Sequence, residues 1–138
     1  MNCLKKCLKK RHFGGYFVEE FENNFAQYSE SKYALGVSNG TTALHLAMLA
    51  LGIGAGDEVI LPANTFIATA WGISHAGATP VFVDCTADSW EIDASKIEEK
   101  ITNKTKAIIG VHLYGQPFDI DAVKAICYKH NLFLVEDA

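Results

Sequence analysis

Short apolar runs along the chain alternate with longer segments of helical spacing. Four runs are apolar at nearly every position, and they read DEVILP, TPVFVD, TKAIIGVHL and LFLVEDA. Consecutive apolar residues are typical of strands that helices cover on both faces. The segments between the runs include NTFIATAWGISHAG, DASKIEEKI and DIDAVKAICYKH, which we expect to be helices. This order predicts βαβ units with right-handed crossovers, and therefore a three-layer α/β/α fold around a mostly parallel sheet.

Three further elements are predicted before the first of these strands. Phe17, Phe21, Phe25 and Tyr28 are spaced four, four and three apart, so they share one helix face that we expect to dock on an apolar surface. KYALGV then predicts a short strand. SNGTTALHLAMLALG begins with residues that cap helices and stops at Gly52, so it predicts a second helix.

Composition and charge narrow the class of protein. The 138 residues are 49% hydrophobic and 20% charged, which suits one globular domain or part of one. The net charge of −4 offers no basic surface to nucleic acid or to an anionic membrane. No apolar stretch reaches the roughly 18 to 20 residues that span a bilayer, and MNCLKKCLKKRHFGG lacks the apolar core of a secretory signal. We therefore expect a cytoplasmic protein with neither nucleic acid nor membrane as a partner.

The first fifteen residues differ in character from the rest. Leu4 and Leu8 stand there among five lysines and arginines. We expect a basic, solvated tail over residues 1–15 and one domain over residues 16–138; a short amphipathic helix that touches a surface or partner is the alternative. The four cysteines form no CxxC pair and no metal-ligand spacing connects the histidines, so we predict no metal site.

Candidate chemistry lies at the carboxyl ends of the predicted strands, where ligands bind in sheets of this kind. The SNGTT segment, residues 38–42, joins a strand to a helix N-terminus. It supplies backbone amides, hydroxyls and a glycine, Gly40, that lets a ligand approach the backbone, so it suits a phosphate group. The alternative is an ordinary helix N-cap, for which the same residue types are preferred.

Two glycine-rich nucleotide motifs do not fit the sequence. GIGAGDE follows a helix and opens a strand, which is the reverse of the dinucleotide fingerprint. GxxxxGK[ST] does not occur. A Rossmann dehydrogenase and a P-loop NTPase are therefore disfavoured.

Five more residues follow predicted strands. The ring of Phe66 could stack on a flat ligand or belong to the core. His112, Tyr114 and Gln116 could contact a substrate or be ordinary loop residues. Asp137 ends the last strand, where a buried carboxylate needs a cation or several donors. A protonated ring nitrogen would be such a cation; helix capping and metal binding are the alternatives.

Several segments together resemble the N-terminal half of an enzyme family. YALGVSNGTTALHLAMLALGIGAGDEVILPANTFIATA, GATPVFVD, TKAIIGVHLYGQPFDID and LVEDA resemble, in this order, the DegT/DnrJ/EryC1/StrS family. Its members are pyridoxal-phosphate-dependent sugar aminotransferases of fold type I. The resemblance runs from about Phe17 to Ala138, and it implies that residues 16–138 are the N-terminal part of the large domain of that fold.

The resemblance implies roles for individual residues. The Gly-Thr turn of the family holds the cofactor phosphate, and it corresponds to Gly40, Thr41 and Thr42. The aromatic residue that stacks on the pyridine ring corresponds to Phe66. The aspartate that pairs with the pyridine nitrogen corresponds to Asp137. An ionised carboxylate there keeps the nitrogen protonated, so that the ring withdraws electrons when the Cα proton of the amino donor leaves.

The resemblance also implies a reaction and its partners. Family members take an amino group from an amino-acid donor, typically glutamate, and deliver it to a keto group on a nucleotide-linked deoxysugar. HLYGQ looks more like members that act on 3-keto sugars than on 4-keto sugars, and Tyr114 and Gln116 are then candidate substrate contacts. Family enzymes are homodimers. Their Schiff-base lysine lies farther along the chain than the ED strand, and no lysine of this sequence matches it, so we expect an incomplete N-terminal portion that is inactive by itself.

Two other functions stay open at this point. One is a non-catalytic truncated remnant or pairing partner of such an enzyme. The other is a different fold type I activity, such as decarboxylation or dehydration, which the order of the motifs disfavours.

Overall fold

A parallel four-stranded sheet forms the centre of the computed structural model, which describes residues 15–138. The strands are β1 (Glu58–Pro62), β2 (Thr79–Val83), β3 (Thr105–Val111) and β4 (Phe133–Asp137). Their order in the sheet is β2-β1-β3-β4, and each neighbouring pair is parallel. The α/β fold and the parallel sheet predicted from the sequence are confirmed.

Four α-helices accompany the strands in the described part of the chain. They are α1 (Tyr16–Tyr28), α2 (Gly40–Ala50), α3 (Ile67–His75) and α4 (Ile120–His130). Asp119 caps the start of α4, since its side chain accepts a hydrogen bond from the amide of Ala122. None of the helices in residues 15–138 is both long and apolar enough to cross a membrane.

Helices cover both faces of the sheet, as the apolar strands require. Alternate residues of β1 and β3 point to opposite faces. One face packs against α2 and α3, and its buried core contains Met48, Ile53, Val59, Leu61, Ala70, Ile73, Ala78, Ala107, Ile109 and Val111. The other face packs against α4, and its buried core contains Ile60, Val83, Ile92, Ile97, Ile108, Phe118, Val123 and Cys127. The three-layer arrangement is therefore confirmed.

The helix predicted over DASKIEEKI is wrong. Two short 3₁₀ turns, Ala94–Lys96 and Glu98–Lys100, stand in its place. Asp93 caps the first turn, because its carboxylate accepts hydrogen bonds from the amide and hydroxyl of Ser95. The tighter turn brings every third residue to one side, and this places Ala94 and Ile97 against the core.

The strand predicted over KYALGV is also wrong. Residues 33–37 have no regular secondary structure and form no strand ladder in the described part of the chain. The amide of Gly36 donates instead to the side-chain carboxylate of Glu22, 2.7 Å away. A strand needs backbone hydrogen bonds to a neighbouring strand. A segment whose amide donates to a side chain instead therefore stays irregular.

The chain divides into two compact units, residues 1–38 and residues 39–138. In the first unit, α1 forms over the predicted aromatic spacing, and the rings of Phe21 and Phe25 stack with centroids 5.5 Å apart. Phe21 is 56% exposed, and the docking of this helix face on an apolar surface stays a prediction. The predicted tail over residues 1–15 lies outside the described residues, apart from Gly15. The second unit contains the sheet, α2, α3 and α4.

Candidate active site

Asp137 is the last residue of β4, and two neighbouring segments fix its position. Its backbone carbonyl accepts a hydrogen bond of 2.9 Å from the amide of His112, which follows β3. Its side-chain Oδ2 accepts a hydrogen bond of 2.7 Å from Oγ1 of Thr69, a residue of α3 that is only 1% exposed. Within residues 15–138, Thr69 is the only donor that hydrogen-bonds the Asp137 side chain. One carboxylate oxygen is therefore held in place, and the other has no partner in this part of the chain.

The N-terminus of α2 opens on the same cavity as Asp137. Gly40, Ala43, Leu44 and Ala47 of α2 and residues 135–138 line this cavity of about 220 Å³. A side chain at Gly40 would meet nothing within 4 Å, so the backbone there is open to an approaching group. The fold brings Gly40 and Asp137 together, although 97 positions separate them along the chain (137 − 40).

Both interpretations of the SNGTT turn find support in its geometry. Asn39 caps α2, because its Oδ1 accepts hydrogen bonds from the amide and the hydroxyl of Thr42 at 2.9 and 3.1 Å. The first backbone bond of the helix runs from the amide of Ala43 to the carbonyl of Asn39. The amides of Gly40 and Thr41 therefore precede the helical ladder, which is where anions bind at helix N-termini. Thr41 and Thr42 also line a neighbouring cavity of about 400 Å³.

Phe66 is positioned by the turn between β1 and α3. It is the residue that precedes α3, and its ring is 72% exposed rather than part of the core. Thr65 and Thr69 flank it in sequence, and their hydroxyl oxygens are 2.9 Å apart. Because Thr69 also contacts Asp137, a short chain of hydroxyls connects the turn that carries Phe66 with the carboxylate.

Tyr114 and Gln116 line a different cavity of about 500 Å³ at the same edge of the sheet. Its other lining residues are Asn64, Asp88, Ser89, Trp90, Glu91 and Leu113. Tyr114 is 99% exposed, and Trp90 is 64% exposed. Both have left-handed backbone conformations, with φ of 54° and 64°, which cost about 1 kcal/mol or more in residues other than glycine. Strained backbone of this kind concentrates at functional sites.

His112 lies between this cavity and Asp137. Its Nε2 is 3.1 Å from Oε2 of Glu136, and its ring stacks on Phe118 with centroids 4.8 Å apart. Both contacts fit the ordinary loop residue that was one of the two possibilities left by the sequence. Contact with a substrate stays a prediction.

Sequence reasoning missed three residues of this edge. Glu91 is 5% exposed and lines the cavity of about 500 Å³ that Tyr114 and Gln116 also line. Burial raises the pKa of its carboxyl, and the charge of His112 opposes that rise. Alternation within SWEID places Glu91 on the side opposite Ile92, so no sequence signal marked it as buried. Thr65 and Thr69 did carry a signal, because residues four apart at the start of a helix lie on one face.

Solved structures and sequence relatives define the class to which this fold and site belong. Among solved structures, NtdA of Bacillus subtilis with bound pyridoxamine phosphate aligns with a TM-score of 0.96 and 40% identity. The alignment covers 99% of this chain and 32% of that chain. The structural neighbours are aminotransferases of the pyridoxal-phosphate fold type I.

The chain belongs to the DegT/DnrJ/EryC1/StrS aminotransferase family, whose sequence model matches residues 1–138. It is 53% identical over 123 residues to GDP-perosamine synthase of Escherichia coli O157:H7, across 89% of this chain and 34% of that protein. It is 52% identical over 120 residues to dTDP-3-amino-3,6-dideoxy-alpha-D-galactopyranose transaminase of Aneurinibacillus thermoaerophilus, across 87% of this chain and 33% of that protein.

These matches confirm the resemblance seen in the sequence, and the family depends on pyridoxal phosphate. The chain spans about a third of the length of the curated relatives it matches.

Proposed function

We propose that this chain forms the cofactor-binding part of a pyridoxal-phosphate-dependent sugar aminotransferase. The enzyme would move an amino group from an amino-acid donor, glutamate in our proposal, to the keto group of a nucleotide-linked deoxysugar. The observation that carries the proposal is the cavity shared by Asp137 and the N-terminus of α2. It offers a carboxylate at one side and helix amides at the other, and a cofactor with a basic ring nitrogen and a phosphate requires both.

The residues present fit the cofactor. Asp137 would pair with the ring nitrogen through its second carboxylate oxygen, since Thr69 already holds the first. Gly40, Thr41 and Thr42 would bind the phosphate, and Phe66 would stack on the ring with its exposed face. Bound pyridoxal phosphate supplies an electron sink for the reaction at the donor Cα. Asp137 strengthens that sink because its negative charge favours the protonated nitrogen.

We propose that the cavity of about 500 Å³ binds the sugar part of the substrate. Tyr114 and Gln116 line it together with Asn64 and Trp90, so it combines amide groups with exposed aromatic faces. Side-chain amides form hydrogen bonds with sugar hydroxyls, and aromatic faces pack against the apolar faces of sugar rings. We further propose a 3-keto rather than a 4-keto sugar, which HLYGQ favours. The name of the Aneurinibacillus relative, a 3-amino-sugar transaminase, supports this preference.

Binding of pyridoxamine phosphate tests the cofactor assignment. This form of the cofactor needs no bond to a lysine, so the 138-residue chain can be used, and binding is followed by the fluorescence of the ligand. We expect Asp137→Asn to weaken binding by at least about tenfold, because a hydrogen bond between charged groups is lost. The matched control is Asp121→Asn, an exposed carboxylate in the first turn of α4, which should bind like the wild type. Equal affinities for Asp137→Asn and the wild type would overturn the ring-nitrogen role.

Pyridoxamine without its phosphate tests the N-terminus of α2. Thr41→Val should weaken the binding of pyridoxamine phosphate and leave that of pyridoxamine unchanged, because only the first ligand carries the anion that the α2 terminus would hold. A variant that weakens both ligands equally would contradict phosphate binding at this turn.

A further inference from the structure

We infer that Thr65 and Thr69 form a directional chain of hydroxyl donors that orients Asp137. Thr69 donates to the Asp137 carboxylate, Thr65 donates to Thr69, and the two threonines are positioning residues for the cofactor site. The cofactor part of this inference rests on the proposed function.

The contact that Thr69 makes is unusual for a helical threonine. A threonine inside a helix commonly bonds the backbone carbonyl three or four residues earlier. Thr69 Oγ1 instead reaches Oδ2 of Asp137 at 2.7 Å, a residue 68 positions away in sequence. The side chain is nearly completely buried, so no water competes for the hydroxyl. A buried hydroxyl that reaches a distant carboxylate determines where that carboxylate points.

The direction of the hydrogen bonds follows from a count of protons. A hydroxyl has one proton to donate and can accept two hydrogen bonds. An ionised carboxylate only accepts, so the proton of Thr69 lies on the bond to Asp137. The 2.9 Å contact between Oγ1 of Thr65 and Oγ1 of Thr69 must then be donated by Thr65. Hydrogen bonds in such a series polarise and strengthen one another.

The chain of donors crosses the sheet. Thr65 and Thr69 follow β1, whereas Asp137 ends β4, and β3 lies between these two strands. Neighbouring strands are about 4.8 Å apart, so the chain of donors connects segments that follow strands roughly 10 Å apart in the sheet. Phe66 lies between the two threonines in sequence. A single turn therefore places the stacking ring and also fixes the acid that would meet the ring nitrogen.

Ligand binding by matched variants tests the effect on the cofactor. Thr69→Val keeps the shape of the side chain and removes the hydroxyl, whereas Thr69→Ser keeps the hydroxyl. We expect Thr69→Val to bind pyridoxamine phosphate about tenfold more weakly and to change the absorbance band that reports protonation of the ring nitrogen. Thr69→Ser should restore both, and Thr65→Val should show a smaller loss because the Thr69 bond remains. Wild-type affinity and an unchanged band in Thr69→Val would overturn the inference.

A double-mutant cycle in the absence of ligand tests the bond itself. Thr69→Val and Asp137→Ala, singly and combined, are compared by urea unfolding. A real bond predicts a coupling equivalent to about a tenfold change in the unfolding equilibrium constant, and additive effects would overturn the chain of donors. If the coupling is present but the wild-type chain binds no pyridoxamine phosphate, the donor chain is supported and the proposed cofactor function is overturned. The two failures are therefore distinguishable.

Discussion

Single residues at the carboxyl edge of the sheet carry the chemistry of this chain, and the sequence revealed them unequally. Asp137 was recognisable because an acid that ends an apolar strand must meet a partner. The spacing of Thr69 from Thr65 indicated only that the two could share a helix face, because a threonine within a predicted helix carries no mark of the distant strand it contacts. Glu91 was missed for a related reason, since alternation places it on the exposed side and only the loop's fold buries it. The sequence pattern predicts the position of a residue within its own helix or strand. Contacts between residues that are distant in sequence depend on the completed fold.

Glu91 predicts a dependence of stability on pH. Burial raises the pKa of its carboxyl above the ordinary value, so the folded state binds a proton more readily than the unfolded state. The contribution of Glu91 to stability is therefore greatest at low pH and is lost as the pH rises through the raised pKa. We expect Glu91→Gln to be more stable than the wild type at pH 7, and the difference to shrink as the pH falls towards 4.5.

Urea unfolding between pH 4.5 and pH 8 measures this difference. The control is Glu99→Gln, since Glu99 is an exposed carboxylate in the same region of the chain. Its free energy of unfolding should follow that of the wild type at every pH. A Glu91→Gln variant that is less stable than the wild type at pH 7 would show that the ionised carboxylate is stabilised by contacts.

At the scale of elements, the sequence predicted what depends on local pattern. The four strands and four α-helices of residues 15–138 appear where the spacing of apolar residues places them. The two wrong elements depend on neighbours instead. Residues 33–37 have the composition of a strand, but the amide of Gly36 donates a hydrogen bond to the side chain of Glu22. Residues 94–100 form two 3₁₀ turns rather than an α-helix. Composition cannot distinguish these outcomes, because the partner backbone or packing surface decides between them.

Close packing between β3 and the loop before α4 makes Gly110 sensitive to substitution. A Cβ atom there would lie 2.2 Å from Cζ of Phe118, a buried ring that also stacks on His112. The ring cannot move aside without disturbing the core, so we expect Gly110→Ala to lower the free energy of unfolding by about 1–3 kcal/mol or more. Gly54→Ala is the control, since its Cβ would meet its nearest atom at an ordinary 3.5 Å. Equal unfolding midpoints for the two variants in urea would contradict this packing argument.

At the scale of the whole molecule, the lysines of the chain bear on its activity. We propose that none of them bonds the cofactor. Lys96 is 3.1 Å from Asp84, and this hydrogen bond raises the pKa of Lys96, which keeps it protonated and unreactive. Lys129 is 2.8 Å from Glu98 and stands in the last turn of α4, which precedes the start of β4 rather than the end that holds Asp137.

Reductive trapping tests this proposal. The chain is mixed with pyridoxal phosphate and treated with borohydride, and the modified lysines are located by peptide mass spectrometry. We expect scattered, partial labelling of exposed lysines that pyridoxamine phosphate does not suppress. Complete labelling of one lysine, accompanied by amino transfer to a keto sugar nucleotide, would show that this chain is a self-sufficient enzyme.

The bond between Thr69 and Asp137 also has a consequence for the order of folding. It closes a loop of 68 residues that contains β2, β3 and α4, so it forms only after those elements have assembled. Contacts of such long sequence separation are slow to form, because the entropy of closing the loop must be overcome before the contact contributes. Helical structure in α2 and α3 depends on nearer contacts and can precede it. Competence to hold a ligand is thus a late property of the refolding chain, acquired after most of its secondary structure.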